Sequence, residues 1–347
     1  MIHHFILKLL RSLNKQKINY AILRNYESIP NKPKDVDYFD IDMIVSSKDI
    51  KKFNKILNQT IIATKTNLIK IFKRSYCHHY RIVKYHNKKF TSVQIDVHTK
   101  GQGFWGFYYL LEDEILNYKK KYKEFFVVSD FHQHLFNWLD KLLWGELKLK
   151  YSKPIKRTMK KEMIKLLKFL KKINLNEKKI TDIKNIFLSK NNSTEDTKKY
   201  KRSILSSVIF WSIFKHPIKT INWTIEFFLK ELKLRIFPPG LFVVVKKQNK
   251  QAKNIYSILC TTAIMGQKSL FVNFNQLSRY KYFYHYITTV WPIVRKHGLV
   301  VCVYDKINFG NNLEYKKNDM SSKLIKDILS QYKIKNIIFS PNIFIKN

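Results

Sequence analysis

Cysteine is scarce in this chain: Cys77, Cys260 and Cys302 are all it has in 347 residues, and they stand at no metal-ligand spacing. Three thiols cannot all pair internally, which excludes a disulfide framework and a cysteine-built zinc module and points to a reducing cytoplasm. Acidic residues are also short, with 25 Asp and Glu against 66 Lys and Arg, a formal charge of +41. Such a balance ordinarily indicates nucleic acid or an anionic membrane surface. Here the lysines are scattered over every segment and travel with abundant Asn, Ile, Phe and Tyr, which is also what an A/T-rich coding bias produces. Long apolar runs are missing as well. The longest uncharged stretch in the aromatic middle of the chain, Ser203–Phe214, is well below the roughly 20 residues needed to span a bilayer. An interdomain helical pair or a membrane-surface contact is expected there. At the N-terminus Lys8, Arg11 and Lys15 interrupt the apolar residues, so an amphipathic helix is expected and not a signal peptide.

Against these absences, two short segments concentrate acid. Phe39-Asp40-Ile41-Asp42-Met43-Ile44-Val45 alternates carboxylates with apolar side chains, so a strand there sends Asp40 and Asp42 from one face and Ile41, Met43 and Val45 from the other. Val93-Gln94-Ile95-Asp96-Val97-His98 alternates in the same way, and Asp96 and His98 share its polar face. If the strands are neighbours, three carboxylates converge. Hard cations such as Mg²⁺ or Mn²⁺ take oxygen ligands of this kind together with substrate phosphates. Two solvated acids on an edge strand are the plainer alternative.

Order along the chain sharpens this. A strand-like run ends in Leu23-Arg24-Asn25-Tyr26-Glu27, a loop with Asp35 and Asp37 precedes the Asp40 strand, and Ser46–Asp49 reads as the capped start of a helix bearing Ile50, Phe53, Ile56 and Leu57. Strands are expected over Ile61–Phe72 and Tyr80–Tyr85, and His86–Lys89 reads as a hairpin turn into the Asp96 strand. This succession resembles the DNA polymerase beta-like nucleotidyltransferases, in particular an uncharacterised bacterial branch with a Leu-Arg-Gly-Tyr-Glu, loop, Asp-Ile-Asp pattern. The resemblance covers about residues 1–150. It implies an α+β nucleotidyltransferase fold in which Asp40 and Asp42 bind metal and nucleotide phosphates and Asp96 is a shared ligand or helps activate the acceptor hydroxyl. The superfamily's glycine turn is replaced by Arg24-Asn25-Tyr26; Asn tolerates the left-handed conformation, so a tight turn stays open, and Arg24 reads either as a phosphate ligand or as an ion-pair partner.

Gly101–Gly106 reads as a flexible aromatic segment, followed by a helix from about Asp130 to Lys150 on which Phe131, Leu135, Leu142 and Leu149 form an apolar stripe. His134, Lys141 and Lys148 recur on a neighbouring face, and the resemblance makes Lys141 the candidate for a triphosphate; a solvated basic face is the alternative. His98 is expected either to orient the catalytic carboxylate or acceptor, or simply to be hydrogen-bonded.

Residues 151–237 form a basic, helical connecting region with one helix over Met159–Ile173 and a polar linker or surface loop over Lys190–Asp196. From Pro238 a buried-strand signature, Leu241–Val245, leads into a Lys-rich loop and a helix through Cys260, with Lys253 where a P-loop lysine would fall and no glycines around it. Trp291–Asp305 and Lys335–Ser340 resemble thymidylate kinase-like segments, so residues 238–347 are expected to be an α/β, degenerate P-loop domain serving as a platform.

Three functions stay open: a Mg²⁺-dependent nucleotidyltransferase moving a nucleoside monophosphate from an NTP to a phosphosugar, glycan or protein acceptor; an inactive scaffold; and a nucleic-acid or membrane-surface binder. The first is favoured because a scaffold has no need to hold repelling acids together. The resembled branch connects it to bacterial surface-polysaccharide metabolism, in the cytoplasm or at the inner face of the inner membrane.

Overall fold

A computed structural model describes residues 2–30, 39–73, 77–86, 89–144, 149–189 and 194–236, and beyond them 241–245, 253, 256, 269–273, 281, 284–295, 299–303 and 337–339. Asp35, Asp37, Lys148, Cys260 and Asp305 lie outside the described residues. The architecture is mixed α/β.

The first helix, α1 (Ile2–Lys15), buries Ile2, Phe5, Ile6, Leu9, Leu10 and Leu13, the one face its spacing defines. Three-residue β1 (Tyr20–Ile22) follows, then the acid-bearing β2 (Phe39–Val45) and α2 (Ile50–Thr64). Strand is expected from Ile61, but α2 runs on to Thr64 because Ile61 and Thr64 continue the buried face of Phe53, Ile56, Leu57 and Thr60; Lys65, at φ 50°, ends it in the left-handed region. Packing overrides the β-branched preference of that stretch. Asp49 precedes the helix as expected, yet it makes no side-chain cap; its carboxylate accepts from the backbone N–H of Asn19 at 2.8 Å.

Next come β3 (Asn67–Lys73), β4 (Cys77–His86) and β5 (Lys89–His98). In place of a flexible segment, Gly101–Leu111 forms a hairpin, β6 (Gly101–Phe104) and β7 (Phe107–Leu111), followed by α3 (Glu112–Asn117) and a second hairpin, β8 (Lys120–Tyr122) and β9 (Phe125–Val127). The main sheet has the order β3-β4-β5-β2-β1-β9-β8. Within it β2 runs parallel to β5 and antiparallel to β1.

Helices make up the next part: α4 (Asp130–Trp144), α5 (Leu149–Lys161), α6 (Met163–Lys172), α7 (Glu177–Leu188), α8 (Lys201–Lys215) and α9 (Pro217–Ile236). Two differ from expectation. The helix over 130–150 is α4 plus the start of α5, and the helix over Met159–Ile173 is broken at Glu162, whose ψ of 34° leaves the helical range. The tract expected as a linker is only partly so: residues 190–193 lie outside the described residues, while Thr194–Tyr200 is a 3-10 helix with Thr194 and Thr197 fully buried. Thr194 donates to Ser152 Oγ at 2.7 Å, and Trp138 Nε1 donates to Thr197 Oγ1 at 3.0 Å, so the tract is bonded into the helical core.

Two apolar cores flank the sheet. One joins α1 and α2 to Ile41, Met43, Val45, Val93, Ile95 and Val97. The other joins Ala21, Leu23 and Ile44 to the β6–β7 hairpin and to α4–α9, running without a break across residue 150 as far as Trp223. The hairpin meets α9 at close range: a Cβ on Gly106, at φ +89°, would lie 2.8 Å from Thr224 Cα, so only glycine fits there. Lys100 is ion-paired with Glu226 of α9.

Toward the C-terminus, β10 (Leu241–Val245), β11 (Ser269–Asn273), β12 (Leu299–Val303) and β13 (Ile337–Phe339) form a second sheet in the order β11-β12-β10-β13. The first three are parallel and β13 is antiparallel to β10. Lys253 is helical; residues 246–252, between it and β10, lie outside the described residues.

Candidate functional site

Register decides where the acids go. Pairing of β2 with β5 sets Asp42 opposite Asp96, Asp40 opposite Gln94 and Ile44 opposite His98. Since alternate residues share a face, Asp40, Asp42, Asp96 and His98 emerge together. One ligand atom from each of Asp40, Asp42 and Asp96 lies within 4.8 Å of the others. The convergence expected from the sequence is present.

The three carboxylates are held differently. Asp42 is buried and accepts from Arg24 Nε at 2.5 Å. That ion pair, with Asp42 the main attraction, keeps Arg24 firmly charged despite its burial. Asp96 is buried but well supplied: His79 Nδ1 lies 2.7 Å from Oδ1, and Gln94 Nε2 donates to both oxygens at 3.0 Å. Burial favours its neutral form, yet the hydrogen bonds and charge of His79 with the help of Gln94 outweigh it and hold the carboxyl below its usual range. Asp40 is the exception. Its Oδ1 is enclosed with no hydrogen-bond partner, and burial, reinforced by the charges of Asp42 and Asp96, drives the carboxyl well above its ordinary value. A buried carboxylate oxygen without a donor is a costly arrangement unless a cation completes it.

His98 is fully buried and packs edge-on against Phe136, with ring centroids 6.3 Å apart; burial pushes its imidazole down to about 4 although Asp42 and Asp96 pull the other way. It is therefore neutral at pH 7. The histidine hydrogen-bonded to Asp96 is His79, which sequence reasoning passed over. Its signal was available, because a hairpin turning at Asn87-Lys88 pairs His86 with Lys89 and, counted back, His79 with Asp96.

Asn25 adopts the left-handed conformation at φ 58°, making the tight turn that glycine would otherwise supply. Arg24 and Asn25 line a cleft of about 610 Å³ between this turn, α4 and the end of α5, with Gln133, Asn137, Arg157 and Lys161 among its walls. Arg24 thus stands with its head on Asp42 and its flank in the cleft, 5.5 Å from the centre of the Phe136 ring. Lys141 does not line the cleft; it is partly buried and paired with its neighbour Asp140 at 3.6 Å.

No protein-family model and no curated protein matches the chain. Among solved structures, JHP933 from Helicobacter pylori is similar at a TM-score of 0.31 and 7% identity, over 64% of this chain and 96% of that one. A likeness so slight carries no argument. Among the described residues no helix is long and apolar enough to cross a membrane.

Proposed function

We propose that this protein is a Mg²⁺-dependent nucleotidyltransferase that moves a nucleoside monophosphate from an NTP to an acceptor hydroxyl or phosphate. The observation that carries the reading is the triad of Asp40, Asp42 and Asp96 with an enclosed, donorless oxygen on Asp40. Three acids so close repel one another, and a divalent cation among them relieves both the repulsion and the missing hydrogen bond. The donor set is all oxygen, which suits Mg²⁺ or Mn²⁺. When bound, such an ion neutralises charge developing at the α-phosphate.

The chain's own groups supply the rest. Asp40 and Asp42 hold the metal. Asp96, kept ionised and aimed by His79 and Gln94, shares that ligation or accepts the acceptor's proton. Arg24 and the Asn25 turn border the neighbouring cleft, where Arg157 and Lys161 add positive charge for phosphates. The acceptor class follows the resemblance to the polysaccharide-linked branch: a phosphosugar, a glycan or a protein. The C-terminal sheet is read as a degenerate P-loop platform; its parallel strands favour this, while antiparallel β13 and the glycine-free loop before Lys253 speak against phosphoryl transfer there.

Isothermal calorimetry of the wild type against each NTP with Mg²⁺ tests the site. Metal-dependent binding that disappears in Asp40→Asn and Asp42→Asn is expected, and the preferred base emerges from the same titrations. Well-folded wild type that binds no NTP would leave the scaffold reading in its place.

A further inference from the structure

Large apolar side chains exposed to solvent are concentrated on two consecutive helices. On α9, Ile218, Ile221, Ile225, Phe228, Leu229 and Leu232 are all more than half exposed, Ile218 at 75% and Leu229 at 62%. Their spacing of three, four and one places them on a single stripe about 100° wide. The opposite side of α9 is already committed: Thr220 and Trp223 are buried, Thr224 abuts Gly106, and Glu226 pairs with Lys100. This helix is therefore apolar on two faces, one docked and one bare. Phe210 and Phe214, near the end of α8, are exposed as well and pack on each other with ring centroids 4.2 Å apart. Trp105 at the tip of the β6–β7 hairpin, beside the Gly106–Thr224 contact, is 54% exposed. An exposed apolar stripe of this kind marks a docking site.

We propose that this surface lies on an anionic lipid bilayer, with α9 parallel to the membrane plane. Charge chooses the occupant. Exposed Lys215 and Lys219 stand at the head of the stripe, and the whole chain carries 66 basic against 25 acidic residues. A second copy would bring another strongly positive body against the first, whereas anionic headgroups attract it. Nucleic acid would require cations at the centre of the patch, and the centre here is aliphatic. An apolar face with lysines at its border matches an interfacial helix that buries its stripe at the acyl boundary. The inference is independent of the nucleotidyltransferase reading.

Co-sedimentation of the 347-residue chain with phosphatidylcholine vesicles, with and without phosphatidylglycerol, tests it. Binding that requires phosphatidylglycerol is expected. Phe228→Ser combined with Leu229→Ser, both at exposed positions, should lower vesicle affinity at least about tenfold with an unchanged circular dichroism spectrum. Lys215→Gln and Lys219→Gln should each lower it roughly fivefold, and the loss should shrink in high salt. Wild type that stays in the supernatant with anionic vesicles overturns the proposal, as does binding that the apolar substitutions leave intact. In the first case, a dimer on size-exclusion chromatography that Leu229→Ser dissolves would identify a second copy as the true occupant.

Discussion

The two sides of the main sheet are covered unequally. On one side α1 and α2 press onto Ile41, Met43, Val45, Val93, Ile95 and Val97 and close the surface completely. On the other, the β6–β7 hairpin and the helices cover Ala21, Leu23 and Ile44, but along the same face of β2 the cover meets Asp42 and Asp40, where carboxylates replace apolar side chains. Both faces belong to the same backbone, and adjacent residues differ only in which way the pleat sends them. A site arises where the apolar cover of one face gives out over an acid cluster, and the fully closed face behind it holds the two strands in register.

The sharpest way to break the contrast is on the open side. Asp42→Asn is expected to reduce nucleotide transfer to background in a steady-state assay, and it should also lower the urea midpoint because it leaves the partly buried Arg24 guanidinium without its carboxylate. On the closed side the converse holds: Ile95→Ala should cost about 2–5 kcal/mol in urea unfolding with the slope unchanged. NTP and Mg²⁺ should still bind to the fraction that is folded.

Acid should weaken the helical side next. Burial, aided by Lys165 and Lys172 and opposed by Glu114, pushes His132 of α4 down from the ordinary 6.5 to about 4. The unfolded chain takes up that proton first, so stability is lost as pH falls from about 6.5 to about 4. After allowance for its partial exposure, the loss is roughly 2 kcal/mol. His132→Gln should flatten the pH dependence of the thermal midpoint over that window.

The smallest effect has the opposite sign. Asp40→Asn removes a repelling carboxylate whose Oδ1 has no donor, so in metal-free buffer it should stabilise the fold by about 1 kcal/mol. Because folding raises the Asp40 pKa, the contribution of this carboxyl runs opposite to that of His132: it is present at low pH and is lost as pH rises through the folded value. Differential scanning fluorimetry with and without Mg²⁺ checks both points, with the metal expected to raise the midpoint of the wild type alone.

Much of the acid-bearing region is legible in the sequence because its signals are local. Period-two alternation around Asp40 and Asp96 is enough to assign faces, and a plausible turn at Asn87-Lys88 is enough to pair β4 with β5. Parallel pairing of β2 with β5 is not local, and nothing within either segment encodes it. The extension of α2 to Thr64 was hidden for a different reason: Ile61, Ile62 and Thr64 favour strands individually, and only the packing of Ile61 and Thr64 keeps them helical. Thr194 is hidden within the polar tract because a short polar residue looks like solvent-facing loop until a buried Ser152 takes its hydroxyl. The special role of Asn25, by contrast, could be foreseen from its side chain's tolerance of positive φ.

The close fit of Gly106 against Thr224 also bears on where the chain can be cut. A fragment ending at residue 150 would strip α9 from the hairpin, bare Tyr108 and the backbone of Gly106, and leave Lys100 without Glu226 only two residues beyond His98. The smallest piece that keeps the acid-bearing strand in its present setting therefore extends to the end of α9. Any expression fragment made to study the carboxylates should stop after residue 236.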